Sequence, residues 1–398
     1  MSVNMKCKNN IYIYGFWATL FFERSVWINY LKYNHYSIVE IGFLQTLLTL
    51  TMFLSELPSG LLTDKFGAKK IMYVGHFLIC LYLFFMMLNI NIAFITLGFM
   101  FYGIGLALIS GSDQTLIYQY KPEQSYQKKI GKYMAISIVG LTVSSFIGGY
   151  LSTISWTSIF LIGIITQLIS IVILMGIKLG YRKFDLKKRE KVSFIRLLIS
   201  LKSITSQKHM KYLLITISIF QSTISVLLNF SQLVLLDKNI NTFNTSILIS
   251  LALVCSAVSS LSIEKISIKI GQNVSTGVFL IVLAAAFFLF SSSETLLVII
   301  SFLLINFSFE FIDTSLNTVV QELSSDKIRT TLISGINTLT AGIMFVETSI
   351  ISALFAKYNI SVVFASVGIV LVMFTSIFYI LFLKTINKKI SNYVLDIF

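Results

Sequence analysis

Seven ionisable side chains stand inside long apolar runs of this 398-residue chain: Glu23, Arg24, Glu56, Asp113, Glu310, Asp313 and Glu347. A charge at the centre of a bilayer costs ~2.5–3.5 kcal/mol on insertion scales, so residues of this kind are retained for function or for a specific partner. Six acids stand against one base, which leaves most of the carboxylates without a cation. A carboxylate in an apolar surround with no cation beside it takes up a proton instead. That property suits a group that loads and releases H⁺ between two conformations. Glu56, Asp113, Asp313, Glu310, Glu347 and Glu23 are therefore candidates for proton coupling.

Their neighbours in the sequence refine the reading. Glu23 and Arg24 are adjacent, so on a helix they point about 100° apart and do not face one another; Arg24 would reach for an acid elsewhere. Glu56 lies close to Pro58, whose missing N–H loosens the local helix, and its carboxyl either takes part in coupling or bonds a nearby backbone group. Asp113 opens a polar stripe with Gln114 and Tyr118. Glu310, Asp313, Asn317 and Gln321 recur every three or four residues and form one polar face, which either lines a cavity or completes a gate with Arg329. Glu347 is isolated, a proton carrier or a packing residue. Gln221, Ser225, Asn229 and Gln232 cluster on one side of another run, with Ser222 beside them. They would bind substrate hydroxyl or amide groups, or join helices to one another. Tyr12, Tyr14, Phe16, Trp27 and Tyr118 are candidate cavity walls.

The elements that position these groups follow from composition. Hydrophobic residues make up 56% of the chain and charged ones 12%, more apolar surface than a soluble core of this size can hide. The excess must face lipid. A helical span needs ~20 mostly apolar residues, and cutting at polar clusters gives twelve. The first six cover 11–32, 38–62, 71–90, 92–118, 132–153 and 156–178. The second six cover 211–236, 245–263, 273–292, 295–321, 330–356 and 360–384. The first run follows Lys6 and Lys8 but is long and has no small-residue cleavage site, so it is expected to stay as a span. Residues 179–210 are rich in Lys and Arg and form a linker with modest amphipathic character at Phe194, Ile195, Leu197 and Leu198.

Basic residues set the orientation, because short loops heavy in Lys and Arg stay in the cytoplasm. With both termini inside, the inner segments hold 27 of the 31 basic residues and the outer loops only Lys32, Lys238 and Lys357. The same distribution argues against nucleic-acid binding, since the net charge of +14 is spread over loops. Cys7, Cys80 and Cys255 lack paired spacing, and His35, His76 and His209 are far apart, so neither a metal site nor a cofactor is expected. That scarcity also speaks against an enzyme, and no GxxxxGK[ST] loop supplies ATP drive.

The chain divides into similar halves. Asp113 is matched by Asp313, and Lys65-Phe66-Gly67 after the second run by Lys269-Ile270-Gly271 after the eighth. Many transporters are built from such repeats, with the substrate site where the halves meet.

One loop is more specific. Gly60, Asp64, Lys65, Gly67, Lys69 and Lys70 agree in type and spacing with the signature loop between the second and third spans of the major facilitator superfamily, which the chain resembles over its whole layout. Gly67 permits the tight turn, and the lysines hold the loop at the anionic cytoplasmic surface. The resemblance implies an all-α polytopic membrane protein with twelve transmembrane helices. These would form two pseudo-symmetric six-helix bundles, residues 1–178 and 211–398, joined by the linker 179–210. It also implies that Asp64 helps lock a cytoplasmic gate, and that the first span lines a central cavity, where Arg24 would meet Glu56 or Asp113. Gly140, Ser144, Ser145, Gly148 and Gly149 are spaced like a motif of proton-driven exporters, with serines where that motif has its central Gly and Pro. Phe99 stands where many proton-coupled relatives have a basic residue four before a Gly, here Gly103.

The expectation is a monomeric, multi-pass transporter of a bacterial cell membrane. Its partners would be protons, lipid and a small amphipathic or cationic molecule carried outward. Nutrient import by proton symport is the alternative, and a membrane receptor or enzyme the more distant one.

Overall fold

A computed structural model of the protein describes residues 10–120, 126–177, 208–323 and 326–395. The linker reading at 179–210, with its amphipathic positions Phe194 to Leu198, lies outside the described residues as far as 207. The side chains of Asp64, Gln321 and Arg329 lie outside them too.

The described residues form fourteen helices and no strand: α1 (Asn10–Ala18), α2 (Trp27–Tyr33), α3 (Ile38–Phe66), α4 (Ala68–Leu88), α5 (Ile92–Gln119), α6 (Tyr126–Ser152), α7 (Trp156–Gly176), α8 (Lys208–Asn229), α9 (Ser231–Asp237), α10 (Thr242–Ile270), α11 (Gln272–Phe290), α12 (Thr295–Leu323), α13 (Asp326–Lys357) and α14 (Ile360–Leu395). Eleven of them are long and apolar enough to cross a bilayer. They carry large exposed side chains such as Leu261, Ile281 and Val172, which a lipid environment accepts without penalty.

The twelfth apolar segment differs from the single helix expected over 11–32. It is broken into α1 and α2, with irregular chain at 19–26. Thr19 Oγ1 donates to the carbonyls of Gly15 at 2.8 Å and Phe16 at 3.1 Å, a local side-chain bond that competes with helix continuation. Thr19 N and Leu20 N then bond three residues back, to Phe16 and Trp17, tightening the last turn. The segment expected over 211–236 is interrupted far more mildly, by the single turn residue Phe230 between α8 and α9, whose N–H still bonds Val226 O at 3.1 Å. Both halves therefore open with an interrupted span.

Helix α6 receives the first break. A Cβ at Gly148 would overlap the Phe22 carbonyl oxygen and stand 2.8 Å from its carbon, and one at Gly140 would stand 2.8 Å from Phe16 O. Ser25 Oγ donates to Ser145 O at 3.0 Å. The small residues of α6 are thus the surface against which non-helical backbone lies, the setting in which irregular chain is tolerated at membrane depth.

The signature loop and its repeat share one geometry. Gly67 (φ +90°) joins α3 to α4 and Gly271 (φ +84°) joins α10 to α11, conformations that favour glycine. Each donates its N–H four residues back, to Thr63 and Ser267, at 2.9 Å.

Two compact units emerge. One comprises residues 1–188 with 239–253, the other 189–238 with 254–398. In the first, α4 packs along α5, α3 lies on α5, and α1 is held between α6 and α7. The opening turns of α10 belong to this unit, where Phe243 meets Phe146 and Tyr150, and Ser250 Oγ donates to Thr142 O. In the second, α8 packs on both α13 and α14, and α11 lies on α12 and α14.

Candidate functional site

In the first unit the break at 19–26 carries Glu23, which is 1% exposed, and Arg24, which is exposed. Both Glu23 carboxyl oxygens are buried without a hydrogen-bond partner among the described residues. The surround is aromatic. Tyr82 and Tyr102 stack at 4.2 Å, Phe21 meets Tyr102 at 6.2 Å, and Trp27 meets Phe99 at 5.3 Å. The Tyr82 and Tyr102 hydroxyls lie within electrostatic reach of Glu23. Phe99, the departure from the family pattern, is therefore part of this aromatic wall.

Asp113 lies deeper on α5, one oxygen buried and unpartnered, within electrostatic reach of Tyr14 and Tyr133. Tyr14 starts a buried chain of bonds across three helices. Its hydroxyl lies 2.8 Å from His76 Nε2, and His76 Nδ1 lies 2.7 Å from Gln167 Oε1. His76 and Gln167 are fully buried. The lone histidine, weighed in the sequence only as a metal ligand, is instead the middle member of this chain. The signal that would have found it is its position inside an apolar run, since a polar group there needs a partner.

In the second unit Gln221 meets Asp313 and Asn317, joining two polar groups that the sequence reading kept separate. Gln221 Nε2 donates to Asp313 Oδ1 at 2.7 Å, Asn317 Nδ2 donates to Asp313 Oδ2 at 3.1 Å, and Thr340 Oγ1 donates to Gln221 Oε1 at 3.3 Å. Both ends of the Gln221 amide are used, which defines its orientation. Asp313 accepts two amide donors, an arrangement complementary to a carboxylate. Each oxygen keeps a second lone pair, so Asp313 can take up a proton with both amides in place, at the cost of the charge that strengthens those bonds. Glu310 sits one turn earlier on the same face and accepts from Thr314 at 3.4 Å.

Glu347 is not isolated. Thr223 Oγ1 donates to its Oε1 at 2.6 Å, while Oε2 is buried without a partner. Helix α8 thus meets a carboxylate of α12 through Gln221 and one of α13 through Thr223, two residues apart. Thr223 and Thr340 had no distinguishing sequence signal, since isolated threonines are common in such helices.

The remaining candidates lie apart from these clusters. Glu56, Gln114 and Tyr118 are exposed on α3 and α5, and Asn229 is half-buried at the end of α8. In the signature loop Lys69 Nζ donates to the carbonyls of Met175 at 3.2 Å and Ile177 at 2.9 Å, closing the C-terminal end of α7, where cations are favoured. Lys65 lies 5.0 Å over the Phe66 ring. Gly60 and Lys70 are exposed.

A protein with this many long apolar helices is built to cross a membrane many times. The structure matches the nucleoside transporter NupG with a TM-score of 0.77 at 14% identity, over 96% of this chain and 99% of that one. It matches a POT family transporter solved with 5-aminolevulinic acid at 0.75 and 13%, over 96% of each chain. In sequence it is 28% identical over 145 residues to the uncharacterised MFS-type transporter YxaM of Bacillus subtilis (strain 168), 36% of each chain. It is 30% identical over 130 residues to the MFS-type transporter MJ1317 of Methanocaldococcus jannaschii, 31% of each chain. The aligned region spans about a third of the length of these curated relatives. A family model described as the Major Facilitator Superfamily matches residues 13–346. The chain belongs to the Major Facilitator Superfamily and is a transporter, not an enzyme.

Proposed function

We propose that the protein is a proton-coupled exporter of small amphipathic or cationic molecules, working by alternating access of two six-helix halves, residues 1–178 and 211–398. The observation that carries this reading is a set of buried or half-buried carboxylates with few donors: Glu23, with Arg24 within electrostatic reach, and Asp113 in one unit, and Asp313 and Glu347, held by neutral donors, in the other. A buried carboxylate must be neutralised by a proton or by a cationic ligand. Competition between the two for one site is the minimal coupling of outward cargo to inward H⁺. The basic inner loops, 27 residues against three, support cytoplasmic termini. We place the protein as a monomer in a bacterial cell membrane.

A second reading is proton symport of a polar nutrient. The amide-rich group Gln221, Asn317 and Thr340 around Asp313 favours it, since a nucleoside or amino compound would find matching donors and acceptors there.

Proton flux in proteoliposomes decides between them. With an imposed pH gradient, lipophilic cations from a compound panel should dissipate it in the export direction, and Asp113→Asn or Asp313→Asn should cut that flux at least tenfold. If no compound moves H⁺, and Asp113→Asn with Glu56→Gln leaves cellular export unchanged, antiport is wrong. Uptake of nucleosides driven by the same gradient would establish symport in its place.

A further inference from the structure

The second unit holds a cavity of about 330 Å³ between α8, α13 and α14. Both α13 and α14 pack on α8 but touch one another sparsely, and the resulting cleft has Thr223 and Glu347 on one wall and Val367, Val370, Leu371 and Phe374 of α14 on the other. Val370 and Met373 beside it are each 63% exposed, so its mouth opens among apolar side chains that only lipid would cover. The volume falls at the lower end of small-molecule pockets.

Glu347 is placed unusually for such a cleft. It lies ten residues before Lys357, the last residue of α13, about 15 Å along the helix at 1.5 Å per residue, which is half the ~30 Å thickness of a hydrocarbon core. Thr223 donates to one carboxyl oxygen and Ser222 lies beside the group; the other oxygen is packed behind the cleft wall without a hydrogen bond among the described residues. A lone carboxylate on the wall of an otherwise apolar cleft complements one kind of molecule: a single positive charge on a slim apolar body. The ammonium of a phospholipid headgroup is held at the interface, too far away to reach it.

We propose that this cleft is a binding site for single-chain cationic amphiphiles drawn from the bilayer, with a protonated amine on Glu347 and the tail against Val367, Val370 and Phe374. The site rests on the export reading for its role in transport, but binding does not require transport.

The test uses the full chain in phosphatidylcholine nanodiscs and a long-chain alkylamine carrying a diazirine in its tail, with labelled peptides mapped by mass spectrometry. The 366–374 segment should label saturably. Labelling should fall at least tenfold in Glu347→Gln, which keeps the Thr223 bond, and to background in Val370→Trp, which fills the cleft from an exposed position. The uncharged alcohol of equal length should give no saturable labelling. Labelling indifferent to both substitutions, saturable labelling by the alcohol, or competition by phosphatidylethanolamine would each overturn the proposal. Glu347-dependent labelling in a chain that moves no H⁺ with any compound would keep the site and remove the exporter. Proton-coupled export without such labelling would do the reverse.

Discussion

Gly148→Ala should be costly out of proportion to one methyl group. Its Cβ would overlap the Phe22 carbonyl oxygen and stand 2.8 Å from the carbonyl carbon, against a comfortable carbon–carbon separation of ~3.5–4.0 Å. Helix α6 and the break must therefore part by roughly 1 Å. The obstructing group is backbone, so no rotamer change relieves it, and the cost belongs at the upper end of the ~1–3 kcal/mol typical of overpacking. At ~2–4 °C per kcal/mol for a domain of 150–250 residues, the apparent melting temperature should drop by roughly 6–12 °C. Gly131→Ala, on the same helix with nothing within 4 Å of the new Cβ, is the control, and should be neutral or stabilising by up to ~1 kcal/mol through helix propensity. Both are compared in one detergent at one scan rate, since unfolding of such proteins is commonly irreversible. Because the same backbone presents Glu23, Gly148→Ala should also depress transport at temperatures where the protein is still folded. Equal melting temperatures for the two variants would refute the close approach of α6 to residues 19–26.

Gly67→Ala and Gly271→Ala should destabilise by similar amounts, ~1–3 kcal/mol each, because both combine positive φ with ψ near +144°, backbone space that is essentially glycine's alone; thermal unfolding of the two singles checks the repeat. His76→Phe or Gln167→Leu should each cost ~1–3 kcal/mol by leaving a buried partner unsatisfied. The double variant should cost clearly less than their sum, and additive effects would dissolve the Tyr14–His76–Gln167 chain. Gln221→Leu removes a charge-assisted bond to Asp313, worth ~1.5–3 kcal/mol in the carboxylate form only. Proton-driven flux should fall, and it should fall no further in Asp313→Asn/Gln221→Leu than in Asp313→Asn. A further loss in the double variant would show that Gln221 acts elsewhere.

Apolar run length, the bias of Lys and Arg to alternate loops, and the paired turns at Gly67 and Gly271 could be read from the chain because each depends on composition or on a few adjacent residues. So could the grouping of Asp313 with Asn317, which are one helical turn apart. The partner of Asp313 could not. Gln221 is 92 residues away, Thr223 meets Glu347 across 124, and His76 meets Gln167 across 91; no local period reports which faces of two helices will touch. The break at 19–26 escaped for a related reason. It lies within a run long enough to span as one helix, and the surface that accepts its bare backbone, Gly140 and Gly148 of α6, comes more than a hundred residues later. Glu23, Asp113 and Glu347 were visible as charges out of place, but which of their oxygens find a donor and which are buried without one is decided by the packed helices alone.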